Sequence, residues 1–302
     1  MSPTQPQRPQ AYLILAIGVL AISTAAIWIR LATSAANDSS VGFSLTLAAS
    51  RSLLAALMLV PVWRDRPWRH GTPALARAVA AGVCFALHIA AWIASLSYTS
   101  IAASTTLVTT NPLWVALLSW WWFGEKPTSK TIIGIFIALI GGIFVARGGQ
   151  TGDAGSNPLL GDGLALLGAV TFSLYLLLGR EAQRRGLSLG EYSAIAYSVG
   201  AILLFPLPWL FGSGYANYPA SVYGCMLMLA LFSQLVGHTS INWAVRSISP
   251  TLVTLVILLE PLGATLLGYL VFAEVPGLEV AIGAVLLLSG VAIATLQLKI
   301  KN

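Results

Sequence analysis

Two stretches of this chain, NPLWVALLSWWWFGEKPT at residues 111–128 and EPLGATLLGYLVFAEVPG at residues 260–277, align without a gap at a separation of 149 residues. A proline, a phenylalanine, a glutamate and a second proline of the first stretch fall on the same residues of the second. The same spacing places Gly134 and Gly141 on two glycines of the later copy. Chance does not give so many collinear matches, so the sequence indicates an internal duplication.

The composition places this duplicated chain in a lipid bilayer. Of its 302 residues, 57% are hydrophobic and only 9% are charged, whereas soluble domains carry about 25% charged residues. A spanning helix needs about 20 apolar residues, and we identify ten segments of roughly that length. They lie at residues 11–33, 41–63, 74–97, 101–123, 131–147, 161–180, 190–211, 221–245, 249–272 and 279–298.

Helix is expected in every segment because lipid offers backbone amides no other partner. The alternation of apolar and polar residues that is typical of a membrane barrel is absent. We therefore predict an all-α integral membrane protein with ten transmembrane helices, built as one membrane domain from two repeats over residues 1–150 and 151–302. Because five helices is an odd number, the second repeat enters the membrane from the opposite side. Such inverted repeats are common in secondary transporters.

Positive charge is concentrated on one side of the predicted helices. With the N-terminus inside, thirteen lysines and arginines lie on the inner side, and only Arg30 and Arg147 lie on the outer side. This asymmetry predicts cytoplasmic N- and C-termini in a bacterial inner membrane. It also accounts for the net charge of +6 without nucleic acid as a partner. The first apolar stretch is interpreted as an uncleaved helix and not as a signal peptide.

The repeated pattern of a proline, small and aromatic residues, a Gly-Glu or Ala-Glu pair and a second proline resembles the EamA family of the drug/metabolite transporter superfamily. Arg51 in the second segment and the pair Glu260–Pro261 in the ninth also match the usual pattern of that family. The resemblance covers nearly the whole chain and implies ten helices, export of small metabolites and alternating access. It suggests the YddG-type amino-acid exporters as the branch, while the quoted motifs belong to the family as a whole.

The prolines at Pro112 and Pro261 predict helix breaks at membrane depth. Proline has no N–H to donate, and irregular helix survives in a membrane only where protein or a water-filled cavity satisfies the freed groups. A carboxylate such as Glu260 at mid-membrane costs roughly 2.5–3.5 kcal/mol on insertion scales, so it should face the interior with a partner. Arg51 is the candidate partner. A static ion pair and a direct role in transport both remain open. Asn111 stands where the second copy has Glu260, so the two breaks differ chemically.

Two polar stripes are predicted on the third and eighth segments. Spacings of three and four residues put His88 and Trp92 on one helix face, and Gln234, His238 and Asn242 on another. Interhelical hydrogen bonding is the alternative explanation for the histidines, and helix packing is the alternative for the buried aromatic residues. The predicted substrate-binding set is His88, Trp92, Asn111, Trp114, Tyr175, Gln234, His238, Asn242 and Glu260.

These features predict a carrier and not an enzyme. The sequence has no nucleotide-binding loop with a lysine, no recognised catalytic motif and no clustered metal ligands, so neither a cofactor nor a metal is expected. The expected partners are a small-molecule substrate and the lipid bilayer, and the chain is expected to be a monomer. Amino acids with aromatic or large neutral side chains are the expected cargo. A proton-coupled exporter of amines or drugs is the main alternative. A channel and an intramembrane enzyme built on His88, His238 and Glu260 fit less well.

Overall fold

The computed structural model describes residues 8–65, 67–95, 98–99, 101–148, 157–273 and 275–296. Within these ranges the chain is helical with short connections and contains no strand, which confirms the predicted all-α fold. Ten helical segments, numbered one to ten below, correspond to the ten apolar stretches. They are Arg8–Ser23 with Ala25–Ala36, Val41–Met58, Thr72–Ser95, Ile101–Val108 with Asn111–Phe123, Ser129–Gly148, Pro158–Arg184, Leu189–Leu204 with Leu207–Leu210, Ala220–Ala244, Pro250–Ile257 with Glu260–Phe272, and Leu278–Leu296.

Length and apolar composition suit these segments to a membrane. In the part of the chain that the structure describes, seven of them are long and apolar enough to cross a bilayer. Segments five and ten contain the shorter apolar helices Ser129–Val145 and Leu278–Ala294. Segment four is divided by a two-residue interruption at 109–110.

Local sequence signals account for where several segments begin. The Ser40 hydroxyl accepts a hydrogen bond from the backbone N–H of Phe43 at 3.1 Å at the start of segment two. Segment seven begins with a capping box, in which Ser188 and Glu191 each accept a hydrogen bond from the other's backbone N–H. Such caps satisfy amides that have no partner inside the helix.

The two copies of the repeated motif have the same helix boundaries. A shift of 149 residues carries Ile101–Val108 onto Pro250–Ile257 and Asn111–Phe123 onto Glu260–Phe272. In both copies the interruption is two residues long and directly precedes the residue before the proline. The repeated sequence therefore encodes a repeated local structure.

The ends of these helices also correspond. Gly124 and Ala273 follow the two helices, and both have left-handed backbone conformations, with φ values of 69° and 55°. Glycine adopts this conformation without steric cost, whereas a Cβ atom makes it unfavourable. The second copy therefore ends its helix at an energetic cost that the first copy avoids.

The chain forms two compact units, and each contains segments from both repeats. The first unit comprises residues 1–86 and 175–249, and the second comprises residues 87–174 and 250–302. Segments three and six are each divided between the two units, at residues 86–87 and 174–175. The division of the repeats at residue 150 stays a prediction.

In the second unit, segments five and ten pack through glycines. Gly134 lies against the Gly290 carbonyl, and Gly141 lies against the Gly283 carbonyl. Residue numbers rise along one helix while they fall along the other, so the two helices are antiparallel. Segments five and ten occupy equivalent places in the two repeats. Their opposite directions are what an inverted repeat requires.

In the first unit, segments one and eight make a similar close contact. A Cβ atom built on Gly18 would lie 2.8 Å from Ser240 Cβ, and one built on Gly237 would lie 2.5 Å from Ile22 Cγ2. A neighbouring apolar core joins Phe43 and other residues of the first two segments to segment eight; it contains Ala32, Phe43, Leu47, Val222, Cys225, Met226 and Leu229. Small residues allow helix backbones to approach closely, which is the usual basis of helix association in lipid.

Substituting Gly141→Ala should destabilise the protein. A Cβ atom there would lie 2.5 Å from the Leu287 nitrogen and 2.7 Å from the Gly283 oxygen, and backbone atoms cannot move aside as a side chain can. We expect a loss of about 1–3 kcal/mol in the free energy of unfolding. Gly142→Ala is the matched control because its Cβ would meet nothing within 4 Å. Thermal unfolding in detergent measures both variants, and an equal loss in the two would contradict the glycine contact.

Exchanging the residues that follow the two repeated helices should have opposite effects on stability. Ala273→Gly removes a left-handed alanine and should stabilise the protein by about 1 kcal/mol. Gly124→Ala introduces that conformational cost without a steric clash, since its Cβ would have no neighbour within 4 Å. The midpoints of thermal unfolding should therefore move in opposite directions. Shifts of the same sign would show that the two helix ends are not equivalent.

Candidate functional site

The predicted binding residues divide between the two compact units. Four of them, Tyr175, Gln234, His238 and Asn242, lie in the first unit together with Arg51. The other five, His88, Trp92, Asn111, Trp114 and Glu260, lie in the second unit.

In the second unit, the imidazole of His88 is fixed among aromatic rings. Its Nδ1 donates a hydrogen bond to the Gly168 carbonyl at 2.9 Å, so the proton of the neutral ring is on Nδ1 and Nε2 is an acceptor. The ring lies 4.8 Å from Phe172 and stacks on Trp92 at 6.4 Å between centroids. Segments three and six thus provide a polar atom inside an aromatic surface.

Asn111 is the first residue of the helix that follows the interruption in segment four. Its backbone carbonyl accepts a hydrogen bond from Ser173 Oγ at 3.3 Å. Its side chain is 8% exposed, and Oδ1 has no hydrogen-bond partner among the described residues. Leaving a buried polar atom unsatisfied costs about 1–3 kcal/mol. This oxygen is therefore suited to accept a hydrogen bond from a solute or a water molecule.

The two predicted tryptophans have different environments. Trp114 Nε1 donates to Thr110 Oγ1 at 3.1 Å, one turn earlier along the same segment. Trp92 Nε1 is buried and has no acceptor within the described part of the chain. Trp92 is therefore the better candidate for a donor to substrate, while the Trp114 indole is already hydrogen-bonded.

Glu260 is the first residue of the helix Glu260–Phe272 and is partly buried. A carboxylate in the first turn is favoured by the helix dipole. Arg51 is 8% exposed on segment two of the first unit. The pairing of Glu260 with Arg51 stays a prediction.

In the first unit, an aromatic group surrounds His238. Its imidazole lies 5.5 Å from the Phe85 ring and 6.5 Å from the Tyr175 ring, measured between centroids. Phe85 also lies 6.2 Å from Tyr197. Segments three, six, seven and eight all contribute to this cluster. All four predicted residues of this unit belong to the cluster or are bonded to it; Gln234 is bonded through its backbone carbonyl, which accepts from the Tyr197 hydroxyl at 3.4 Å.

Asn242 joins segment eight to segment six at two points. Its Nδ2 donates to the Tyr175 hydroxyl at 2.6 Å, and its backbone carbonyl accepts from Gln183 Nε2 at 3.0 Å. Gln183 also donates to the Gly179 carbonyl at 3.2 Å. Because both partners of this amide nitrogen are carbonyls, the orientation of the Gln183 amide is fixed. Its Oε1 is then a buried acceptor without a partner among the described residues.

Sequence reasoning missed Gln183 and the burial of Arg180. The predicted sixth segment ended at residue 180, but the helix Pro158–Arg184 continues one more turn. Arg180, the last residue of the predicted segment, is only 7% exposed. Tyr175, Gly179 and Gln183 are spaced four residues apart, so they lie on one face of segment six. This spacing is the signal that could have added Gln183 to the predicted site.

Segment eight contains a ten-residue π-helix at Leu229–His238. Such helices are rare and are frequently found at functional sites. The Gln234 side chain is fully buried in it, and neither its oxygen nor its nitrogen has a partner in the described part of the structure. The Tyr197 hydroxyl, which lies 3.0 Å from Thr239 Oγ1, packs beside the end of this π-helix. An α-helical period alone did not predict this widened turn.

The fold and the buried polar faces define a class of protein, a multi-pass membrane transporter. The family model described as the EamA-like transporter family matches residues 10–147 and again residues 159–296. The chain therefore belongs to the EamA-like transporter family. The two matches cover the two repeats inferred from the sequence, so the resemblance to that family is confirmed.

Curated relatives are similar over most of the chain. An uncharacterized transporter of Bacillus subtilis (strain 168) is 29% identical over 212 residues, which is 68% of each chain. An uncharacterized transporter of Clostridium kluyveri is 26% identical, over 65% of this chain and 64% of its own length. A probable terminal-alkyne amino-acid exporter of Streptantibioticus cattleyicolor is 25% identical over 255 residues, 83% of this chain and 82% of its own.

A protein crystal structure superposes with a TM-score of 0.76 over 98% of this chain and 100% of its own. Its sequence is 19% identical. At that identity the likeness shows a shared fold alone.

Replacing Tyr175 by Phe tests the bond between segments six and eight. The change removes the hydroxyl that accepts from Asn242 Nδ2 and leaves that amide without its observed partner. Hydrogen bonds between membrane helices contribute about 0.6–1.7 kcal/mol, so we expect a loss of roughly 1 kcal/mol in stability. Tyr269→Phe removes a hydroxyl from a half-exposed ring and is the control. Equal unfolding midpoints for the two variants would contradict the proposed importance of this bond.

Proposed function

We propose that this transporter exports small metabolites from a bacterial cytoplasm across the inner membrane, with amino acids of aromatic or large neutral type as the cargo. It acts as a monomer with both termini in the cytoplasm and works by alternating access. The observation that carries the proposal is the buried Asn111 acceptor. Asn111 and His88 are each hydrogen-bonded to segment six, Asn111 through Ser173 and His88 through the Gly168 carbonyl. Small-molecule sites are typically apolar surfaces with a few placed polar groups.

The chemistry of a free amino acid fits the groups of the second unit. Its ammonium needs acceptors, which Asn111 Oδ1 and the Glu260 carboxylate can supply. Its carboxylate needs a donor, which the indole N–H of Trp92 can supply. An aromatic or branched side chain would find apolar contact with Phe172 and the face of the indole ring. The relative named as an amino-acid exporter supports the same class of cargo.

The repeated helix interruptions support alternating access. In transporters built from inverted repeats, substrate sites form at broken helices near the membrane midplane. Asn111 and Glu260 each begin the helix that follows such an interruption. We propose that both polar residues face the transport pathway, and that their chemical difference makes the pathway asymmetric.

A proton-coupled exporter of amines or drugs is the second candidate. Its basis is the partly buried carboxylate of Glu260, which could exchange a proton during the cycle. In this alternative the carboxylate still attracts a cationic solute, but its protonation releases it. The amino-acid proposal and this alternative therefore differ in their response to a pH gradient.

Counterflow of labelled phenylalanine in proteoliposomes should separate the roles of Glu260. We expect Glu260→Gln to fold and to lose amino-acid counterflow at least tenfold, because its neutral amide attracts an ammonium group only weakly. Glu279→Gln is the matched control, since Glu279 lies exposed in the first turn of segment ten. It should transport at the rate of the unmodified protein.

Other outcomes would assign other roles to this carboxylate. Poor folding of Glu260→Gln that Arg51→Gln partly restores would indicate a buried ion pair, whose disruption costs roughly 3–5 kcal/mol. Retained counterflow with a lost response to a pH gradient would indicate proton coupling. If unmodified protein exchanges none of a panel of labelled amino acids, the proposed cargo is wrong.

A further inference from the structure

Two short connections of the first unit are joined at one membrane surface. The first contains the 3₁₀ turns Val60–Asp65 and Pro67–His70, between segments two and three. The second is the turn between segments six and seven, around Gly186. His70 Nε2 lies 3.0 Å from Glu191 Oε1 at the start of segment seven. This contact holds the two connections side by side.

Backbone geometry reinforces this contact. Gly186 has a φ of 109°, and a Cβ atom built on it would lie 3.3 Å from His70 Nδ1, so the imidazole lies over a glycine. A Cβ built on Gly190 would lie 3.5 Å from Val62 Cγ1. The same carboxylate of Glu191 accepts the Ser188 N–H at 2.8 Å. The joined connections therefore form one fixed surface.

The charges on this surface are unbalanced. Glu181 is engaged by Arg185 at 2.7 Å and by Arg77 at 3.9 Å. Among the described side chains of the two connections and the adjoining helix ends, five arginines stand against two glutamates, Glu181 and Glu191, when histidine is counted as uncharged. The surplus is three positive charges. We call this set the basic surface; its arginines are Arg64, Arg69, Arg77, Arg184 and Arg185.

An apolar surface adjoins the basic surface. Leu57, Met58 and Val60 lie seven, six and four residues before Arg64 and are 56%, 39% and 53% exposed. Exposed apolar side chains at the end of a spanning helix contact acyl chains, while arginines one turn further lie at the level of the headgroups. Guanidinium groups bind phosphate through paired hydrogen bonds. The apolar side chains thus match the acyl chains of a phospholipid, and the adjoining arginines match its phosphate group.

We propose that the basic surface is a binding site for the headgroup of an anionic phospholipid. The general preference of positive charge for the inner side of a membrane accounts for the sign of these residues. It does not account for their fixed arrangement on two joined connections beside an apolar surface. Lys126 and Lys130, which are exposed in the second unit, follow the same general preference and provide a comparison. This inference does not depend on the identity of the transported solute.

Purified full-length protein in neutral detergent, titrated with short-chain phosphatidylglycerol, tests the proposal. Thermal unfolding and native mass spectrometry report binding, and phosphatidylcholine of the same chain length is the neutral comparison. Each basic residue near an anionic surface contributes about a fivefold change in affinity. The double variant Arg64→Gln/Arg69→Gln should therefore weaken phosphatidylglycerol binding by roughly 25-fold. The charge-matched variant Lys126→Gln/Lys130→Gln should stay within about twofold of the unmodified protein, because these lysines are not part of the surface.

Several results would overturn the proposal. They are equal stabilisation by the two lipids, equal weakening by the two double variants, or equal stabilisation by inorganic phosphate, which would assign the site to a free anion. A salt series on the unmodified protein needs no variant. The effect of phosphatidylglycerol should fall strongly by 1 M salt, where the Debye length is about 3 Å. Undiminished binding at high salt would show that the arginines do not carry it.

Discussion

The structure depends on one constraint: inside a bilayer, backbone polar groups find hydrogen-bond partners only within the protein. Ten apolar stretches become helices for this reason, and any departure from helix must be compensated by the chain itself. The interruptions before Asn111 and Glu260 are such departures, and in the first the Asn111 carbonyl is bonded by Ser173 of another helix. The π-helix of segment eight is a third departure, with hydroxyl groups of Tyr197 and Thr239 beside its end. Hydrogen-bonding side chains of neighbouring helices thus lie beside the first interruption and beside the end of the π-helix.

The same constraint makes polar side chains informative. Asn242 bonds both Tyr175 and Gln183, which fixes the faces of segments six and eight relative to each other inside the first unit. Other polar groups, including the Gln234 amide and the Asn111 oxygen, are buried and lack partners in the described part of the chain. Groups of the first kind stabilise the fold at a small energetic gain per bond. Groups of the second kind are stable only if water, a solute or another conformation satisfies them.

Hydropathy and the repeat were sufficient to predict most of the fold. Every apolar stretch is helical, and the antiparallel packing of segments five and ten agrees with the inverted repeat. The extra turn of segment six was missed because Arg180, Gln183 and Arg184 resemble a charged loop when side-chain burial is unknown. The π-helix was missed because Leu229–His238 is as apolar as any α-helix, and its wider turn depends on contacts with other segments. The sequence also did not predict the grouping of segments into two compact units, because contacts between residues far apart in the chain determine it. For the candidate site, the polar stripes selected His88, His238 and Asn242, whose role in binding stays a prediction. The sequence does not distinguish a hydrogen-bonded indole such as Trp114 from one without a described acceptor such as Trp92.

The glycine contacts between segments five and ten have a consequence for the history of the chain. Gly134 of one copy meets Gly290, and Gly141 meets Gly283; by the repeat, Gly134 is equivalent to Gly283 and Gly141 to Gly290. Gly134 of the first copy therefore contacts the equivalent of Gly141 in the second copy, and Gly141 contacts the equivalent of Gly134. This reciprocal contact is the isologous pattern of a twofold homodimer. In a homodimer, every substitution appears on both sides of the axis at once. Joining the copies in one polypeptide removes that coupling, so that one position can hold an amide, Asn111, while its symmetry mate holds a carboxylate, Glu260. Covalent linkage thus permits equivalent positions of the two repeats to differ in charge.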